Sequence, residues 1–409
     1  MIPNKHLRQT WANKFVKMGN ICYFCLSNFK NGKMFALAQY ILSIEHLEVM
    51  SKQLYRRKIY PLRDENGVLK CRMGNTAIVF EVMCEGVKSA LRVYIRPHRN
   101  LKALYGDNYF PKELLVSATT SKYSLADVVL CEWYDGVTLQ KKIEQFCNKP
   151  DKMYSLSCLF EEFAIELLNK EWAHGDVKPE NIILDKRGLH LIDFDAMWRP
   201  GFTTNDCEEI GTTLFQHPKR NKSCFNKHID DYPIALIVTA LSALSRDRKL
   251  TKLLTHSDAL LITPKLAVMG QDKVLDRIER LFAEAGDARH YRIARLLRSQ
   301  HYALPRLKDL LEAKPRGAAS DEGLSAESSG DGWGYALRGE FVIPPYYDIA
   351  FDFSEGLGLV RIADVWHFIN CKGEVVITCG RGEGIKPFRD GITTIRRKDG
   401  SVDIIERPL

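Results

Sequence analysis

The feature that most narrows what this chain can fold into lies at residues 174–195, HGDVKPENIILDKRGLHLIDFD. Residues 182–192 are mostly apolar on either side of Lys186-Arg187-Gly188, and two short apolar runs about a Gly-containing turn predict a β-hairpin. Asn181 then stands just before one strand and Asp193 just after the other. The hairpin brings these two side chains together at its open end, close to Asp176 and Lys178. Asp and Gly are ordinary turn residues, but two linked motifs in this order argue for a site and not for loop text.

The residue types suit phosphoryl transfer. An in-line displacement needs a carboxylate to hold the attacking hydroxyl, here Asp176, and a cation to meet the transferring phosphate, here Lys178 two residues on. Asn181 and Asp193 offer the oxygen donors that Mg2+ prefers.

Other motifs stand in a matching order: CRMGNTAIVFEV at 71–82, Ala90-Leu91-Arg92, VVLCEWYDGVTL at 128–139, and IGTTLFQHP at 210–218. With HGDVKPEN and IDFD, they make residues 66–312 resemble a eukaryotic-type protein kinase domain. The family is the Hanks-type serine/threonine protein kinases, in a divergent bacterial form. The resemblance implies an α+β, bilobal protein-kinase-like fold, with a small β-rich lobe and a large helical lobe. It implies ATP and Mg2+ as cofactors, Asp176 and Lys178 as catalytic residues, and Asn181 and Asp193 as metal ligands. Gly74, Asn75, Val79, Ala90, Arg92, Glu132 and Tyr134 take the nucleotide positions, and Cys131 the gatekeeper position. His174 and Asp231 take the places that brace the catalytic loop.

The chain departs from the family at several points. Only Gly74 remains of three loop glycines, with Arg72 and Ala77 in the other places. Arg92 replaces a lysine whose partner is a helix glutamate, and an arginine is longer and planar. The next glutamate downstream is Glu113, a candidate substitute partner. Gly175 replaces an arginine that in many kinases binds a phosphorylated activation segment, so control of that kind is not expected. Asp195 replaces a glycine and is expected to add a carboxylate near the metal. Small-molecule kinases of the aminoglycoside and choline type share the HGD and IDF motifs, but they lack the lysine of Lys178-Pro179-Glu180-Asn181. A pseudokinase scaffold is the alternative that the altered nucleotide loop favours.

Four segments are expected: an N-terminal helical extension over 1–58, the kinase-like domain over 59–312, a linker over 313–330 and a β module over 331–409. In the first, Phe35, Leu37, Ile41, Ile44, Leu47 and Met50 are spaced for a helix with one apolar face. Cys22 and Cys25 lack a second pair for a structural zinc. The stretch AKPRGAASDEGLSAESSGD has no apolar periodicity, as in a linker. Beyond it, GEFVI at 339–343 is echoed by GEVVI at 373–377, and FSEGLGLVR at 353–361 by FRDGITTIR at 388–396. An offset of about 34–35 residues is typical of stacked repeats. With Trp333-Gly334 and its counterpart Trp366-His367, the tail resembles WG repeats, a bacterial β-repeat family. It is expected to bind a protein substrate or partner and to be removable without unfolding the rest.

Composition limits the partners. A net charge of +8 over 409 residues is spread along the chain with no nucleic-acid motif. Arg292, Arg295 and Arg298 read as a solvated helix face. The longest apolar stretch, at 233–244, is too short to cross a bilayer. Eleven cysteines, an odd number, suit a reducing compartment, and a cytoplasmic location is expected.

Overall fold

The computed structural model describes residues 35–119, 122–256, 260–330 and 332–408; Cys22 and Cys25 lie outside them. The protein mixes α and β structure, and it divides into two compact units. One comprises residues up to Pro97 together with Phe110–Cys131, the other His98–Tyr109 together with Glu132–Leu409.

The first unit is built on a six-stranded sheet. Its strands are β1 (Ile59–Pro61), β2 (Cys71–Met73), β3 (Ala77–Cys84), β4 (Val87–Tyr94), β5 (Tyr109–Thr119) and β6 (Lys122–Glu132). Their order is β1-β3-β4-β6-β5, with β2 paired to β3. Alternation along β3 and β4 sends Ile78, Phe80, Val82, Leu91 and Val93 to one face, where they are buried in a single apolar cluster. Helix α1 (Leu37–Glu45) and the turn after it close that cluster with Tyr40, Ile44 and Leu47, while Phe35, Leu37, Ile41 and Met50 pack at its margin. The helical segment expected within 1–58 is therefore part of the sheet's own core. Glu113 is buried here, and its Oε1 accepts the backbone N–H groups of Lys52, Gln53 and Leu54 at 2.8, 2.6 and 2.8 Å. That engagement uses the carboxylate for local structure, and no ion pair with Arg92 forms.

The second unit has a helical layer: α2 (Leu139–Phe146), α3 (Pro150–Leu168), α4 (Asp231–Arg246), α5 (Lys273–Glu284) and α6 (Ala288–Leu296). Every residue of α4 from Asp231 to Leu244 is buried; a helix apolar on all sides belongs in the centre of a core. This is the apolar stretch at 233–244, and no helix among the described residues is long and apolar enough to cross a membrane. A small sheet, β7 (Val137–Thr138), β8 (Ile182–Asp185) and β9 (Gly188–Leu191), joins the layer. The expected hairpin is β8–β9, with Ile182 opposite Leu191 and Asp185 opposite Gly188.

The C-terminal region consists of small antiparallel sheets: β10 (Leu324–Ser329), β11 (Gly332–Leu337) and β12 (Glu340–Tyr347); then β13 (Ile349–Ala350), β14 (Gly358–Ile362), β15 (Val365–Ile369) and β16 (Val375–Arg381); then β17 (Ile392–Arg396) and β18 (Val402–Glu406). The stretch read as a linker differs from expectation, because β10 pairs along its length with β11 and Arg316 N–H bonds to the Val342 carbonyl. Its polar side chains alternate on an edge strand that needs no apolar periodicity. Nor do few contacts cross it. Tyr335, Ile343, Tyr346, Tyr347, Val360, Ile362, Val365 and Ile369 share one buried cluster with the helices. The Arg292 guanidinium on α6 donates to the carbonyls of Tyr346 and Tyr347 and pairs with Asp348, and His367 Nε2 donates to the Ala283 carbonyl at 2.8 Å. Two of the three arginines read as a solvated face are tied down, since Arg298 also pairs with Glu279 and Asp276, while Arg295 is exposed.

Candidate active site

In the second unit, the β8–β9 hairpin holds the cluster in place from below. Ile192 N–H donates to the Asn181 carbonyl at 2.9 Å, which fixes the backbones before Asp193 and before β8 side by side. Asn181 is buried, and its Nδ2 donates to the Asp176 carbonyl at 3.0 Å and to Asp176 Oδ2 at 3.1 Å. Lys178 Nζ lies 3.2 Å from Asp176 Oδ2 and donates to Thr212 Oγ1 at 2.8 Å. Thr212 N–H in turn donates to Asp176 Oδ1 at 2.5 Å. Both carboxylate oxygens of Asp176 are thus oriented, one by the loop and one by Thr212.

Thr212 is a member of this cluster that sequence reading missed. Its signal was its place in the motif at 210–218, directly after Gly211, whose φ of +87° puts the chain in the left-handed region. A Cβ at Gly211 would stand 2.4 Å from the Gly175 carbonyl oxygen and 3.0 Å from Asp176 Oδ1, so only glycine lets the two segments approach this closely. Gly175 obeys the same constraint, with φ of +84° and a Cβ position 2.0 Å from the Ala196 carbonyl oxygen. An arginine at 175 has no room.

His174 and its neighbours brace the loop. His174 is buried, its Nε2 donating to the Ile192 carbonyl at 2.9 Å and its Nδ1 accepting Asp176 N–H at 3.3 Å. The expected brace at Asp231 is corrected to Asp230. Asp230 accepts the N–H groups of His174 and of Gly175, the latter at 2.8 Å, whereas Asp231 accepts Leu304 N–H at 2.7 Å and lies 3.1 Å from His228 Nδ1. Successive residues entering a helix point about 100° apart, so only one carboxylate of the pair can face the loop. Burial raises the Asp230 carboxyl above its usual range, against the pull of His174, the two amides and Arg220. Burial likewise pushes Asp231 up to about 6.

Asp193 adopts a left-handed φ of 68° and leads into a turn at Phe194–Ala196. Among the described residues no group of three His, Cys, Asp or Glu side chains is placed to hold a metal ion. Asn181 and Asp193 nevertheless fit Mg2+ by donor chemistry: with Asn181 Nδ2 committed to Asp176, the Asn181 side-chain oxygen and a carboxylate at Asp193 are the hard oxygen donors that Mg2+ prefers. Asp195 does not join them. It is buried, with Oδ1 accepting from Tyr105 Oη at 2.8 Å.

Glu132 and Tyr134 face the hairpin. Glu132 pairs with Arg187 at 2.7 Å, and the Tyr134 ring stacks on His190 with centroids 4.3 Å apart. Asp185, half-buried beside them, is held down to about 2: burial opposes this, and the Arg187 N–H, His190 and the Arg187 guanidinium outweigh it.

Within the first unit, Val79 is paired with Arg92 and Glu81 with Ala90 across β3 and β4. These residues share the face opposite the apolar cluster, because side chains alternate along each strand. Ala90 and Arg92 are both buried, and the Arg92 guanidinium lies over the Tyr94 ring at 5.7 Å. Gly74 and Asn75 form the exposed β2–β3 turn, closed by Gly74 N–H to the Ala77 carbonyl at 2.8 Å.

Comparison with known proteins supports the tail. A family model described as "WG containing repeat" matches residues 337–366, which span β12 to β15. No protein kinase family model matches the chain, and no curated protein matches it.

Proposed function

We propose that this chain is a phosphotransferase of protein-kinase-like bilobal fold, dependent on ATP and Mg2+, that acts on serine or threonine hydroxyls and engages a protein partner through its WG-repeat tail. The observation that carries the reading is the set Asp176, Lys178, Asn181 and Thr212, joined by hydrogen bonds between the loop at 174–181 and the segment at Gly211-Thr212. Asp176 holds the acceptor hydroxyl and takes its proton at the carboxylate, while Lys178, already tethered by Thr212, meets the negative charge that develops. Asn181 and Asp193 would hold Mg2+, and Glu132 and Tyr134 of the same unit would contact the nucleotide. When bound, MgATP supplies the phosphoryl group and neutralises its charge.

One observation favours a second reading, a scaffold without turnover. Of the three loop glycines that let the backbone approach phosphate in the family, only Gly74 is present, in the exposed β2–β3 turn. The two readings separate in a radiolabel transfer assay on the full chain with a mixed serine/threonine peptide library. Transfer by the parent, unaltered MgATP binding in Asp176→Asn and turnover lowered by about 10²–10⁴-fold are expected. MgATP binding with no transfer by the parent favours the scaffold; equal turnover in parent and Asp176→Asn removes Asp176 from the mechanism.

A further inference from the structure

The Gly175 carbonyl, one peptide before Asp176, is a point of convergence that the proposed chemistry does not use. Arg220 Nη1 donates to it at 3.0 Å and Gln216 Nε2 at 3.3 Å. Arg220 Nη1 also bonds Gln216 Oε1 and approaches the Ile229 carbonyl at 3.4 Å. On the other side of the same residue, Asp230 accepts the Gly175 N–H. Arg220 and Asp230 are both buried, so an opposite-charge pair, one member on the carbonyl and one on the amide, grips a single residue of the catalytic loop. Charged groups make the stronger hydrogen bonds, and a buried cation is retained only where it is compensated. Gly175 itself has no side chain to hold the loop, and its backbone is too close to Ala196 to accept one.

We infer that Arg220 is a positioning residue for Asp176: through the Gly175 carbonyl it fixes the peptide that aims the Asp176 carboxylate. The role rests on the phosphotransferase reading, but the geometry it asserts does not. Arg220 makes no hydrogen bond to the Asp176 carboxylate and acts on it through the Gly175 peptide. Its loss therefore lowers turnover and leaves nucleotide affinity intact, because neither Asn181 nor Asp193 is among its partners. Only Nη1 of the guanidinium bonds the loop, while Nη2 is buried without a hydrogen-bond partner among the described residues, so a lysine ammonium can take over the essential contact.

The test uses Arg220→Met, Arg220→Lys and Gln216→Ala in the full chain, with two readouts: steady-state kinetics, and amide hydrogen exchange of peptides spanning residues 173–178 and 182–191. For Arg220→Met a kcat loss of about 10²-fold with unchanged KM for MgATP is expected, the scale of a small misplacement of a catalytic group. Exchange at 173–178 should accelerate about tenfold or more while the hairpin stays protected, and Arg220→Lys should recover most of both. A cooperatively melting Arg220→Met with parental kcat and exchange overturns the inference, as does a rise in KM in place of the kcat loss. If Arg220→Met fails to fold because Asp230 is stranded, Gln216→Ala decides: faster exchange at 173–178 supports the role, and parental exchange overturns it. If the parent transfers no phosphate, the functional reading falls, and exchange alone judges the positioning.

Discussion

Gly286 offers a direct measure of how firmly the tail belongs to the helical layer. It follows the C-terminus of α5 with φ of +72°, and a Cβ there would stand 2.3 Å from Val375 Cγ2 on β16 and 3.5 Å from His367 Nδ1 on β15. Gly286→Ala thus combines two costs. An L-residue in the left-handed region loses about 1–2 kcal/mol, and forcing Val375 aside adds about 1–3 kcal/mol of overpacking. The expected total is about 2–4 kcal/mol, allowing for partial rotation of the valine, out of a typical stability of about 5–15 kcal/mol. Urea unfolding followed by far-ultraviolet circular dichroism and by hydrogen exchange in residues 358–369 should give one coincident transition, shifted equally for both probes. In Gly286→Ala/Val375→Ala the clash is relieved while the backbone cost remains, so a coupling of about 1 kcal/mol or more is expected from the double-mutant cycle. A tail that melts early while the helices keep their parental midpoint would refute the shared core and restore the picture of a detachable module.

Three further outcomes follow from the site and the core. Asp230→Ala should destabilise the protein by about 3 kcal/mol or more, because two buried amides lose their acceptor, and should abolish transfer, whereas Asp231→Asn should leave turnover within about threefold of the parent; the reverse ranking in melts and assays would return the brace to Asp231. Asp193→Ala should remove the Mg2+ dependence of ATP binding in a thermal-shift titration and keep a parental melt in the absence of nucleotide; equal MgATP affinity would exclude Asp193 as a ligand. The buried network in which His290 Nε2 meets Glu161 at 2.8 Å and His290 Nδ1 meets Asp287 at 2.7 Å should give a two-sided pH profile. Burial works against the charge on His290, but Asp287 and Glu161 outweigh it and raise its pKa, so its contribution is full below about pH 6.5 and is lost as pH rises through the raised value. Burial also opposes ionisation of Asp287 and Glu161, but His290 and the neighbouring arginines outweigh it and lower both, so theirs is present above about pH 4 and lost as pH falls. His290→Gln should cost about 3–5 kcal/mol near pH 6 and flatten the alkaline limb in urea melts from pH 4 to 9; an unchanged limb would place that titration elsewhere.

What the amino-acid sequence determined by itself was local. The β8–β9 hairpin followed from apolar runs about Lys186-Arg187-Gly188, the shared face of Ala90 and Arg92 from strand alternation, and the repeated tail from its constant offset. Each rests on a period of two residues or on a tight turn, and needs no knowledge of distant neighbours. The tertiary structure decided everything that depends on approach between remote segments. Asp230 and Asp231 are adjacent and chemically identical, and only the angle at which α4 meets the catalytic loop selects between them. Arg220 carries no motif, and the motif at 210–218 does not announce the bonds of Thr212 and Gln216, because hydrogen bonding to a residue some 40 positions away leaves no periodic trace. Residues 313–330 looked like a linker because an edge strand with polar side chains shows no apolar alternation, yet β10 finds its partner in β11. The tail looked detachable for the same reason: the tyrosines at 335, 346 and 347 announce burial, but not whether they are buried within the repeats or against the helices, and only packing answers that.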